Sequence, residues 1–310
     1  MSGESTVDAA VARIESVYKR WTRDTTIAEM RRDWDDLLRP SAEPWPVDTL
    51  DAGGVAAEWI AAPQTNPGRI MLYLHGGGFR IGSIDSHRDL MQRLARAADA
   101  RILAIDYRLA PEHPFPAALE DALAAYRWLI SRGVAASSLA IAGDSAGGGL
   151  ALSCLFAARA ASLPLPAAIY LMSPWTDLTA SGNSYVTRAD RDPMHQKSMI
   201  LRLAKAYLGA QGDAADPLAS PLFGDLVGLP PLFVQCGGRE IIFDDSAVLV
   251  ERARAAGVDA RLDVDAEMIH VFQMFGELPE SAPALARAGA FLKTHVNDEA
   301  GKAPRHRLDP

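Results

Sequence analysis

Gly143-Asp144-Ser145-Ala146-Gly147 stands where an apolar run, Leu139–Gly143, passes into a helical pattern. This is a G-x-S-x-G at a strand–turn–helix bend, the arrangement that throws a serine hydroxyl clear of the backbone. Glycines two before and two after permit the bend, because side chains there would collide with neighbouring backbone. A serine held in this way is suited to acyl transfer by nucleophilic attack on a carbonyl. A second segment, His75-Gly76-Gly77-Gly78-Phe79, follows directly on the apolar run that begins at Arg69. Consecutive glycines leave amide N–H groups free to point at a ligand, and acyl transfer needs such donors for the oxyanion of its tetrahedral intermediate.

The serine also needs a base, and histidine suits because it titrates near neutrality. Seven histidines compete. His295 and His306 fall in a terminal helix and tail, His87 opens a helix, and His195 sits in a long irregular segment. His75 is expected to shape the glycine loop, and His113, in a Pro-rich stretch, to be structural. His270 remains, in the short loop Met268-Ile269-His270-Val271-Phe272 after an apparent strand at Ala260–Val264. The chain order Ser…acid…His requires a histidine after the last strand, so His270 is the expected base. Asp144 is expected to hydrogen-bond backbone or a neighbouring segment, and Arg108 and Glu112 could form an ion pair.

These residues must be carried by a sheet. Apolar runs at Arg69–His75, Arg101–Tyr107, Leu139–Gly143, Ala167–Met172 and Leu232–Cys236 read as strands buried on both faces, which is the pattern of a parallel sheet. Helical patterns lie between them. Ala118, Ala122, Tyr126 and Leu129 share one face, as do Leu285, Ala288, Leu292 and Val296 near the end of the chain. The alternation predicts βαβ units, an α/β fold with helices on both sides of the sheet. Val47–Ala52 and Val55–Ala62, joined by Gly53-Gly54, read as a hairpin that adds an antiparallel edge. Residues 1–39 read as two amphipathic helices broken near Asp24-Thr25-Thr26 and ended by Pro40. Residues 180–225 are too long for an ordinary connection, with a helical piece near Lys197–Leu208. The expected organisation is therefore 1–45 as the N-terminal part of a cap, 46–179 and 226–296 as the catalytic domain, 180–225 as a cap insertion, and 297–310 as a frayed polar tail.

The ordered set HGGGF at 75–79, Asp106-Tyr107-Arg108-Leu109-Ala110-Pro111-Glu112, Gly143-Asp144-Ser145-Ala146-Gly147-Gly148 and Ser173-Pro174-Trp175-Thr176-Asp177-Leu178 resembles the hormone-sensitive lipase family of α/β-hydrolase esterases, over roughly residues 70–275. The family's H-x-F matches His270 and Phe272. The resemblance implies an eight-stranded sheet with a helical cap and hydrolysis of mostly short acyl esters through an acyl-serine intermediate; with no extended apolar surface for lipid evident, short- to medium-chain acyl esters are the expected substrates. It also implies oxyanion donors at Gly77, Gly78 and Ala146, and raises the prospect of a homodimer. The triad acid should hang from the loop after Leu232–Cys236, where the chain reads Gly237-Gly238-Arg239-Glu240-Ile241-Ile242-Phe243-Asp244-Asp245. The family's spacing of two aspartates four residues apart sets Glu240 at the catalytic position and Asp244 at the second. Here the chain departs from the family, with glutamate in place of aspartate, but the demand is for an oriented carboxylate. Asp244 is the alternative acid, although Asp244 or Asp245, just ahead of the helical run Ser246–Ala256, is more naturally an N-cap. Phe79, Trp175, Phe223 and Met194 are the candidate pocket residues.

Composition agrees with a globular enzyme. The chain has 310 residues, 49% hydrophobic and 23% charged, with 31 basic against 39 acidic residues for a net charge of −8. The acidic balance argues against a nucleic-acid partner, which needs a basic footprint on phosphates. No apolar run reaches the roughly 18 residues of a membrane helix, and the polar start at Met1–Asp8 does not read as a secretory signal peptide, so the expected location is cytoplasmic. Cys154 and Cys236 lack the spacing of a zinc site or a disulfide framework. No metal or organic cofactor is called for; the expected partner is a small-molecule ester. Amide, deacetylation or lactone substrates on the same triad are the alternatives. A non-catalytic receptor of the same fold is disfavoured, since His270 and an acid are both present.

Overall fold

The computed structural model describes residues 6–39, 45, 48–62 and 65–298. In chain order the helices α1 (Thr6–Arg20) and α2 (Ile27–Leu38) precede the strands β1 (Asp48–Asp51), β2 (Ala56–Ile60) and β3 (Ile70–Leu74). Next come α3 (Ile84–Ala98), β4 (Arg101–Ile105), α4 (Ala117–Ser131), β5 (Leu139–Asp144), α5 (Ser145–Ala160) and β6 (Ala168–Met172). The long connection contains α6 (Ser184–Thr187) and α7 (Lys197–Leu208), and the chain closes with β7 (Leu232–Gly237), α8 (Phe243–Ala255), β8 (Ala260–Asp265) and α9 (Ser281–His295). The strands make one sheet in the order β1-β2-β4-β3-β5-β6-β7-β8. β1 pairs antiparallel with β2 and β2 antiparallel with β4, and every other pairing is parallel. The hairpin is thus the antiparallel edge expected of it.

The runs that are apolar on both faces are so because both faces are covered. Alternate residues of a strand point to opposite sides. Leu72, Leu103, Ile141, Ile169 and Val234 enter the core shared with α4, α5 and α8, including Leu129, Leu150 and Leu249. Met71, Tyr73, Ile102, Ala140, Tyr170 and Phe233 enter the opposite core, with Leu90 and Leu94 of α3 and Leu285, Ala288 and Leu292 of α9. A third, smaller core joins Ala10 and Ile14 of α1 and Trp34 and Leu38 of α2 to Met194 and to Ile269, Phe272 and Phe275 of the loop after β8. The first two helices therefore pack on the segment that carries His270.

Thr26 and Glu29 explain the break between those helices. The Thr26 hydroxyl accepts from the Glu29 amide and the Glu29 carboxylate accepts from the Thr26 amide, a reciprocal cap that starts α2. Pro40, expected to end that helix, and the tail from 299 onward lie outside the described residues.

Two expectations about ion pairs and caps are corrected. Arg108 pairs with Asp121 at 2.8 Å and with Glu120 at 3.0 Å, while Glu112 pairs with Arg31 at 2.7 Å. The first turn of α4 lies closer to Arg108 than the Pro-rich loop does, and α2 lies over that loop. Asp244 and Asp245 do not cap α8, whose N-cap is Ile242. Asp244 instead accepts the Ser184 amide at the start of α6, and Asp245 accepts the amides of Thr176 and Asp177.

Candidate active site

β3 and β5 are neighbours, and their register sets Leu74 opposite Gly143. The glycine loop and the serine turn therefore leave the same edge of the sheet side by side. This is the carboxyl edge of a parallel sheet, where open α/β folds place their ligands. The loops after β7 and β8, paired up to Gly237 and Asp265, leave the same edge and carry Glu240 and His270.

Ser145 is the first residue of α5 and has φ +49°. That value lies in the left-handed region, costly for a side chain other than glycine, and such strain gathers at functional turns. Gly147 makes the turn possible, because a Cβ there would stand 2.0 Å from the Leu74 carbonyl oxygen. The Ser145 carbonyl is fixed by the Trp175 amide at 2.8 Å. Ala146, second in α5, carries one of the first-turn amides that have no partner within a helix.

The glycine loop is equally constrained. Gly77 has φ +111°, and a Cβ there would meet the Ile81 carbonyl oxygen at 2.1 Å. Its carbonyl accepts from the Arg80 and Ile81 amides, both at 3.1 Å. Among the described residues, the amides of Gly77 and Gly78 donate to no protein acceptor. Asp144 ties this loop to the serine turn: its carboxylate accepts from the Tyr73 hydroxyl at 2.7 Å and the Gly76 amide at 3.0 Å, with His87 Nε2 at 3.3 Å. Burial alone would raise the Asp144 pKa, but His87 and the Tyr73 hydroxyl hold it below the usual carboxylate range. His75 stacks on Tyr107 with ring centroids 4.3 Å apart, and burial and the neighbouring His87 push its pKa down to about 3. It stays neutral and shapes the loop.

His270 Nδ1 lies 2.8 Å from Glu240 Oε2. The other Glu240 oxygen accepts from the Ser173 hydroxyl at 2.6 Å and from the Gly237 amide. The Ser173 hydroxyl also receives the Val271 amide at 3.1 Å, so one side chain braces both the Glu240 and the His270 loops. Burial would lower the His270 pKa, but the Glu240 carboxylate, helped by Asp192 and Asp144, raises it above the ordinary histidine value. The competing acid, Asp244, faces α6 and makes no such contact: its carboxylate accepts from the Ser184 amide at 2.9 Å.

Ser145, His270, Gly77 and Gly78 line one cavity of about 310 Å³. Of the pocket residues expected from sequence, Trp175 and Met194 line it and Phe79 and Phe223 do not. Phe79 is buried and stacked on Tyr207 of α7, centroids 3.6 Å apart, so it anchors the helix behind the wall. Phe223 sits in a single 3₁₀ turn at the surface, 36% exposed. Much of the remaining wall comes from the first two helices, with Tyr18, Met30 and Trp34, and from α7, with Met199 and Leu203.

Sequence reasoning also missed His195. Its ring lines the cavity and meets His270 edge-on. Asp192 supports it: that carboxylate accepts the His195 and Met194 amides through one oxygen and the Ile241 amide through the other. Burial would raise the Asp192 pKa, but His195 and these amides hold it down to about 2. A carboxylate followed two and three residues later by amides that could close onto it is a local turn signal, but nothing local says that the turn lands on His270.

A mostly parallel eight-stranded sheet with these loops at its carboxyl edge defines an α/β-hydrolase. A family model described as alpha/beta hydrolase fold matches residues 71–274. An acetyl-hydrolase of Streptomyces hygroscopicus is 46% identical over 254 residues, covering 82% of this chain and 84% of that protein. An esterase of Acinetobacter venetianus is 36% identical over 239 residues, 77% of this chain and 78% of its own length. A solved esterase from the bacterial hormone-sensitive lipase family superposes with a TM-score of 0.90 at 45% identity, covering 96% of this chain and all of that one. The chain belongs to this family of α/β-hydrolases and is a carboxylic ester hydrolase. No helix among the described residues is long and apolar enough to cross a membrane.

Proposed function

We propose that the enzyme works through an acyl-serine intermediate, with Ser145 as nucleophile, His270 as base and Glu240 as the acid that orients it. His270 Nε2 takes the Ser145 proton as the hydroxyl oxygen attacks the ester carbonyl. The carbonyl oxygen becomes an oxyanion held by the amides of Gly77, Gly78 and Ala146. His270 then gives the proton to the departing alcohol, and a water molecule, deprotonated by the same ring, releases the acid and restores the serine. Glu240 fixes the tautomer that leaves Nε2 free to accept and stabilises the imidazolium as it forms.

The observation that carries this reading is the 2.8 Å bond from His270 Nδ1 to Glu240, in a cavity whose wall also holds Ser145 and the glycine loop. Free amides at Gly77 and Gly78 support the oxyanion role. The α1–α2 pair and residues 180–225 supply much of the cavity wall, and we read them as a cap that sets which esters enter. A cavity of about 310 Å³ is at the small end of the range for small-molecule sites, which favours short to medium acyl chains. The Streptomyces relative, named an acetyl-hydrolase, favours the short end. A hydrolysis screen of p-nitrophenyl esters from acetate to palmitate, with Ser145→Ala as control, tests both parts. Activity confined to the shorter esters and lost in Ser145→Ala is the expected result.

A further inference from the structure

Two cations line the cavity without an ion-pair partner among the described residues. Arg80 follows the glycine loop and lines the same cavity as Ser145 and His270. Its Nε is buried without a hydrogen-bond partner, and among the described residues its guanidinium has no carboxylate at ion-pair distance. Glu112, whose charge reaches Arg80, is already taken: Arg31 grips its two oxygens at 3.0 and 2.7 Å. Arg31 also donates to the Arg80 carbonyl at 2.9 Å, which brings a second positive charge close to the first. From α7, Arg202 joins the same lining from the solvent-exposed rim, again with no ion-pair partner among the described residues.

The rest of the wall offers these cations nothing. It is largely apolar and aromatic, and its one carboxylate among the described residues, Asp144, is committed to Tyr73, Gly76 and His87. A cationic lining also runs against the net charge of −8. A buried polar atom without a partner in a native protein calls for an explanation, and at a ligand cavity the missing partner can be supplied by the ligand. A guanidinium presents parallel N–H groups that match the two oxygens of a carboxylate.

We propose that Arg80, with Arg202 at the same cavity, recognises a carboxylate carried by the substrate ester away from its scissile carbonyl. This rests on the acyl-serine reading above and deepens it: the preferred substrate is a half-ester or an ester of a carboxylated alcohol rather than a neutral ester.

The test compares matched neutral and anionic esters on one enzyme preparation, so that the active fraction cancels. One arm uses p-nitrophenyl hexanoate and mono-p-nitrophenyl adipate, which differ by a carboxylate at the end of the acyl chain. The other uses phenyl acetate and 4-acetoxybenzoate, which differ by a carboxylate on the leaving group. In at least one arm, Arg80→Gln should lower the anionic-to-neutral ratio of kcat/KM by about tenfold or more, the worth of a charge-assisted hydrogen bond. Arg80→Lys should recover part of it. In the wild-type enzyme the same ratio should fall as NaCl is added, a readout that needs no variant. A ratio unchanged by salt, and unchanged in both arms by Arg80→Gln and Arg202→Gln, overturns the proposal while leaving the acyl-serine reading intact. A wild-type enzyme inactive on all four esters would remove that reading instead.

Discussion

The ring of His195 meets the ring of His270 edge-on, with centroids 4.6 Å apart and planes 86° apart. One comes from the 180–225 segment, the other from the loop after β8, so the segment over the site packs directly on the proposed base. His195 is in turn held in a turn on Asp192, whose carboxylate also accepts the amide of Ile241, the residue after Glu240. Three parts of the site thus share one small cluster.

If His270 is the base, as proposed, that contact positions it. His195→Ala removes the surface against which the His270 ring rests, and kcat should fall about tenfold, since small misplacements of a reacting group are costly. His195→Phe keeps an aromatic ring in the same place and should retain most of the rate. Steady-state kinetics of both variants on one short ester decide the matter. Equal losses in the two would mean that the imidazole itself, rather than its packing, is needed.

Glu240→Gln should cut kcat by roughly three to four orders of magnitude, as loss of the orienting carboxylate does in serine triads. It should also move the pH profile. His270 must be neutral to act as base, so activity rises with pH through its titration. The Glu240 charge holds that titration above the ordinary value, and without it burial is opposed less, so the acidic limb moves to lower pH. Asp244→Asn, by contrast, should lower stability with little effect on turnover, because Asp244 serves the start of α6. A rate loss in Asp244→Asn larger than that in Glu240→Gln would reverse the assignment of the acid.

Asp192 should stabilise the fold in a pH-dependent way. Its pKa is held down to about 2 in the folded state, below the unfolded value near 3.9. The unfolded chain therefore binds the proton first, and the contribution, present above about pH 4, is lost as pH falls towards about 2. The difference corresponds to about 2 to 3 kcal/mol. Denaturant unfolding across that range should show the loss in the wild type and a flatter dependence in Asp192→Asn.

Asp245 works in the opposite sense. Burial, with repulsion from Asp177, pushes its pKa up to about 8 against the amides of Thr176 and Asp177 and the Tyr185 hydroxyl. Between about pH 4 and 8 the folded protein holds a proton that the unfolded chain has released. Stability should therefore decline as pH rises through that window and level off above it. Asp245→Asn should remove that share of the decline, visible as a smaller difference in thermal midpoint between pH 5 and pH 8.

Much of this arrangement was legible in the sequence for local reasons. The serine turn needs Gly147 because a neighbouring carbonyl leaves no room for a side chain, and that requirement is written into the motif. The central strands read as apolar on both faces because α3 and α9 cover one face and α4, α5 and α8 the other. Glu240 is singled out through the resemblance, whose four-residue spacing of carboxylates falls on Glu240 and Asp244, and its contact with His270 separates the two. What escaped depends on contacts between distant segments. Phe79 and Phe223 are large aromatics near the site in sequence, yet one packs behind α7 and the other faces solvent. Met30 and Trp34 reach the cavity only because α2 folds over the loop after β8, and no local pattern encodes that docking. Arg108 chose Asp121 over Glu112 for the same kind of reason, since a helix turn came closer than the adjoining loop.

The central claim, that Ser145 is activated by His270, is tested most directly by covalent capture. The enzyme is treated with a fluorophosphonate, the intact mass is measured, and the modified peptide is sequenced. A single adduct on Ser145, absent in Ser145→Ala and formed far more slowly in His270→Ala, is the expected result. An adduct on another residue, or ester hydrolysis that survives undiminished in Ser145→Ala, would contradict it.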